Sequence, residues 1–89
     1  MKNKQTLIPR KELESVYGIY LKGQINEAIK QVKILNNKYP NQPILFNLIG
    51  ACFKELGQLE NSIKMFKIAV KLNPNYAEGY FNLGVALQS

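Results

Sequence analysis

The chain has no histidine and no tryptophan, one cysteine, and carboxylates that are all glutamate, in 89 residues. Without histidine or aspartate, catalytic triads, histidine-based metal sites and aspartate pairs are excluded by inventory. Glu12, Glu14, Glu27, Glu55, Glu60 and Glu78 are scattered along the chain, so no carboxylate pair converges on one spot. The single Cys52 cannot close an internal disulfide and fits a reducing compartment. Lying between Gly50 and Phe53 on an apolar stretch, it reads as a core residue rather than a nucleophile. Gly50, Gly57 and Gly84 fall at helix contacts or turns, not in a phosphate-cradling loop. The expectation is a chain that is not an enzyme and uses no metal or cofactor.

Long apolar runs are also missing. Lys54-Glu55 and Gly57-Gln58 break the most hydrophobic stretch well short of a membrane span. The opening Met1-Lys2-Asn3-Lys4-Gln5 leads into no signal-peptide core, which makes a cytoplasmic setting the expectation. Arginine is nearly absent, since Arg10 stands against eleven lysines, and the net charge is +6. Coding bias towards lysine, asparagine and isoleucine explains that balance better than a polyanionic partner does.

What the chain does have is an internal period. Pro40-Asn41 and Pro74-Asn75 stand 34 residues apart, and Gly23-Gln24-Ile25 answers Gly57-Gln58-Leu59 at the same offset. Ile29-Lys30 answers Ile63-Lys64, and Lys33-Ile34 answers Lys67-Ile68. A fixed period of this length marks an array of helical hairpins. Helices are predicted over about residues 9–22, 26–38, 43–56, 60–72 and 76–88 from apolar spacing and stop signals. Pro43 suits a first helical turn, and Gly57 supplies the left-handed residue that ends one. Asn26 is expected to cap the second helix, and Asn75 with Glu78 to form a capping box on the fifth.

Residues 43–76 resemble a tetratricopeptide repeat. The family pattern of large, small and aromatic positions is met by Phe46-x2-Ile49-Gly50-x2-Phe53, then Ser62-x3-Phe66, then Pro74. Residues 77–89 look like the first half of another, with Tyr80-x2-Leu83-Gly84-x2-Leu87. Residues 9–42 are a degenerate first repeat: strict counting from Gly23 puts Glu12 and Ser15 at large apolar positions. Sliding the helix by one residue brings Leu13, Val16, Tyr17 and Tyr20 inward instead, at the cost of a one-residue deletion before Gly23. That slid register is favoured here because it buries no glutamate. The resemblance implies an all-α, right-handed α-α superhelix, a solenoid of about two and a half repeats and five helices over residues 9–89, behind a flexible tail at 1–8.

In this family the first helices line a concave groove that takes a peptide or a partner helix, which makes protein–protein interaction the implied function. The groove residues implied are Asn47, Ala51 and Lys54 from the second repeat and Phe81 and Val85 from the third. Tyr17 and Leu21, or Leu13 and Tyr20, join them from the first, depending on register. The basic clamp some members use on acidic tails is not matched, because Glu78 and Asn82 hold its positions on the last helix. The last helix is apolar nearly all round, and Tyr80, Leu83 and Leu87 lack a capping partner; the isolated chain is expected to self-associate through them or to continue into a longer array. Lys30, Lys33, Lys64 and Lys67 recur on the second helices and form a possible polyanion stripe, although no aromatic is interleaved to stack on a base. Nucleic acid is therefore not the expected partner. The run at 75–84 also resembles arrays that precede transferase domains in larger bacterial enzymes, whose catalytic machinery is not in this sequence.

Overall fold

The computed structural model describes residues 7–89, and among them finds five α-helices: α1 Arg10–Leu21, α2 Ile25–Lys38, α3 Pro43–Glu55, α4 Leu59–Leu72 and α5 Ala77–Gln88. Each packs on the next in chain order, and α3 also touches α5, so the helices form two antiparallel hairpins followed by a fifth helix. Among the described residues no helix is long and apolar enough to cross a membrane. Of the tail expected at 1–8, residues 1–6 lie outside the described part. Ile8 is half-buried against the core while Leu7 is exposed.

The helix starts differ from the capping expected. No helix has a side-chain cap; Gln24 and Tyr76, not Asn26 and Asn75, precede α2 and α5. The reason is the shortness of the links. After the left-handed Gly23 and Gly57, a single glutamine remains before the next helix, and its carbonyl accepts the first helical bond, from Ala28 at 2.9 Å or Ser62 at 3.0 Å. At the α4–α5 link the Asn73 side chain accepts the N–H of Asn75 at 3.0 Å, which uses Asn75 in a turn instead of a cap. The two Pro-Asn links are thus alike in sequence and different in backbone. Asn41 takes the left-handed conformation (φ 64°), while Asn75 does not.

The register of α1 is the clearest correction. The N–H groups of Lys22, Gly23 and Gln24 bond to the carbonyls of Gly18, Tyr20 and Ile19. Thirty-four residues on, those of Leu56, Gly57 and Gln58 bond to Cys52, Lys54 and Phe53. The two turns share these three bonds at the 34-residue offset, so no residue is deleted before Gly23, and the strict register holds. Glu12 therefore occupies the place of Phe46, Ser15 that of Ile49, and Val16 that of Gly50.

Volume exchange and hydrogen bonding make this possible. In the second repeat Gly50 faces Phe66 so closely that a Cβ would lie 2.7 Å from the ring's Cε1. In the first repeat the equivalent pair is Val16 and Val32, both buried in the same core cluster. Bulk has moved from the second helix of the hairpin to the first, at similar total volume. Glu12 is only half-buried, and its carboxylate accepts from Tyr39 Oη at 2.9 Å and Lys38 Nζ at 3.3 Å. Burial and this bond to Glu12 raise the Tyr39 phenol above its usual pKa. Leu13, Tyr17 and Tyr20 still pack inward, as expected, against the core cluster of Val16, Val32, Leu35, Leu45, Leu48 and Ile49.

Candidate functional site

Side chains of α1, α3 and α5 meet on one face. Asn82 of α5 donates through Nδ2 to Asn47 Oδ1 of α3 at 3.0 Å. Tyr17 of α1 lies within electrostatic reach of Glu78 on α5 and of Tyr76 on the link before it. The Tyr76 hydroxyl is buried beside Asn47 without completing a hydrogen bond. The floor of this face is therefore the Asn47–Asn82 bond between α3 and α5, with the Tyr76 and Tyr17 phenols near it. Around it stand Ala51 and Val85, half-buried, and Lys54, exposed. Phe81 is 70% exposed, the most prominent apolar side chain on α5.

Of the groove residues expected from sequence, Asn47 has the most altered role. It is 3% exposed and bonded to Asn82, so it braces the floor instead of offering itself to a peptide backbone. Leu21 is exposed at the end of α1 and, with Tyr20, Gly23, Ile25 and Glu55, borders an open depression of about 340 Å³. The strict register also puts Leu13, Tyr17 and Tyr20 in the places of Asn47, Ala51 and Lys54. The pattern does not single out Tyr76, because it lies on a link where turn residues are expected; at the 34-residue offset it matches Gln42. On the opposite side Lys30, Lys33, Lys64 and Lys67 are all exposed. Lys30 sits 3.9 Å from Glu27, which dilutes the positive stripe at that end.

Comparison with known proteins agrees with this geometry. Residues 50–89 match the family model described as TPR repeat. The solved TPR domain of Sgt2 from Aspergillus fumigatus superimposes with a TM-score of 0.84 over 97% of this chain, at 19% identity. Residues 50–89 are thus similar to tetratricopeptide repeats in sequence, and the described residues have the all-α fold of a tetratricopeptide solenoid. It is also 38% identical over 50 residues to the small glutamine-rich tetratricopeptide repeat-containing protein 2 of Mycosarcoma maydis. That match takes in 56% of this chain and 14% of the relative, and the chain covers 58% of the Aspergillus domain. The exposed Lys30, Lys33, Lys64 and Lys67 belong to α2 and α4, and not to the helices that carry Asn47, Phe81 and Asn82.

Burial tunes the ionisable groups of this region in one direction. It raises the Tyr76 phenol to about 12, with Glu78 and Tyr17 adding to the effect, and raises the Cys52 thiol to about 11. Tyr17 and Tyr20 are raised too, by burial first and then by Glu78 and Glu55 respectively. Cys52 is wholly buried, and its raised pKa keeps it a thiol, which suits packing and not nucleophilic attack. Because each folded pKa lies above the unfolded value, the stability these groups contribute is complete below about pH 9 and is lost as pH rises towards 12. The urea midpoint should be level from neutrality to about pH 9 and then fall. Cys52→Ala should remove the earliest part of the fall, and a curve that stays level to pH 12 would contradict the burial of these groups.

Proposed function

We propose that the chain binds a protein partner, as an extended peptide or a helix, along the face formed by α1, α3 and α5. The observation that carries this reading is the exposed Phe81, one turn from Val85 on α5, on a helix that the Asn82–Asn47 bond fixes to α3. Such a face is preformed: its polar atoms hold the helices in register, so a partner is met by a scaffold that needs no ordering. Phe81 supplies an aromatic anchor, and Lys54 an exposed cation. The fold family's general use in protein–protein interaction supports the same reading.

Peptides selected from a random display library on the intact chain provide the test. Their affinity should drop at least about tenfold with Phe81→Glu, stay unchanged with Lys64→Glu plus Lys67→Glu, and depend weakly on salt. Binding that survives Phe81→Glu, collapses with the lysine changes and falls steeply with salt would replace this reading with polyanion binding by the outer stripe.

A further inference from the structure

The outward side of α5, apart from the groove, carries Tyr80, Leu83, Gly84 and Leu87. Tyr80 is 49% and Leu87 59% exposed, Leu83 is half-buried, and a Cβ on Gly84 would meet nothing within 4 Å. The equivalent glycine of the second repeat, Gly50, is filled by the Phe66 ring. So α5 presents a notch between two large side chains, on a surface built to receive a helix.

We propose that this face binds a second copy of the same chain, with the two α5 helices antiparallel. Two features favour a second copy as occupant. First, the pattern large–large–glycine–large at 80, 83, 84 and 87 is self-complementary about a two-fold axis between residues 83 and 84. Leu83 of each copy then seats on Gly84 of the other, and Tyr80 lies over Leu87 of the other, an isologous contact. The antiparallel arrangement also opposes the helix dipoles. Second, charge directs like chains to this face. Each chain carries +6, so two copies repel over most of their surface, whereas residues 79–89 contain no charged side chain. Close approach through the glycine notch needs no change in either monomer.

Sedimentation equilibrium of the whole chain tests this. The expected result is a reversible dimer with a dissociation constant on the order of 10–100 µM, as befits a single helix pair. Leu87→Glu should weaken it more than about tenfold. The decisive variant is Gly84→Leu: the new side chain enters open space in the monomer, so helicity and melting temperature at low concentration should hold or rise, yet it fills the notch and should abolish the dimer. A clean monomer at several hundred micromolar overturns the proposal. So does a dimer indifferent to Gly84→Leu, or one broken by Ile34→Glu on α2 instead. A monomer that takes up a foreign amphipathic helix on the Leu87 side overturns the second copy and assigns the face to that helix. Selected groove peptides should bind the Gly84→Leu variant with unchanged affinity, so this dimer and the groove reading fail separately.

Discussion

Gly50→Val is expected to destabilise the protein by about 3 kcal/mol or more, and Phe66→Val in the same chain to return part of that loss. A Cβ at Gly50 would lie 2.7 Å from Phe66 Cε1 and 2.8 Å from Cδ1, closer than side chains approach. The ring cannot retreat, because Phe66 is fully buried at the centre of the α3–α4 hairpin. Ser62 stiffens the same spot: its hydroxyl donates to the Gly50 carbonyl at 2.8 Å. Phe66→Val alone should cost roughly 2–4 kcal/mol by leaving a cavity. The double variant reproduces the Val16–Val32 pairing that the first hairpin already uses, with Val at the glycine position and Val at the aromatic one. It should therefore be less destabilised than the sum of the single changes by about 1–3 kcal/mol. Urea denaturation of the four proteins reads this coupling. Simple additivity would mean that the two hairpins do not share one packing plan, against the three bonds their turns have in common.

The second large effect is at the seam between repeats. Leu48→Ala should cost about 2–5 kcal/mol, out of a total near 4–13 kcal/mol for a chain of this length. Leu48 is buried in the cluster that joins Val16 of α1, Val32 and Leu35 of α2, and Leu45 and Ile49 of α3. In a solenoid each repeat leans only on its neighbours, so the loss should not spread evenly. Hydrogen exchange should show α1 and α2 losing protection first, while α4, packed on α3 through Phe66, keeps it. Equal loss of protection in all five helices would show that the array unfolds as one unit.

Much of the fold could be read before any coordinates because its signals are local. A glycine that must be left-handed, a proline that cannot continue a helix and apolar residues every three or four positions each act within one or two turns. Gly23 and Gly57 have positive φ, and Pro43 opens α3, where these rules put them. The capping assignments failed for the same local reason: Asn26 and Asn75 have the right chemistry, but a one-residue link and an Asx turn took the positions they needed.

The sequence by itself determined the 34-residue period, five helices, the tetratricopeptide pattern and the largely apolar last helix, uncharged after Glu78. Only the tertiary structure decided how the first helix sits, what Glu12 does and where Asn47 points. Each of those depends on partners far along the chain: Glu12 on Lys38 and Tyr39, Val16 on Val32, Asn47 on Asn82. A glutamate at an apolar position looks like an error until a phenol and an ammonium arrive to bond it, and an asparagine looks like a groove donor until another amide claims it. Helical periodicity reports which side of a helix is apolar. It cannot report how volume is divided between two facing helices, because that is a property of the pair.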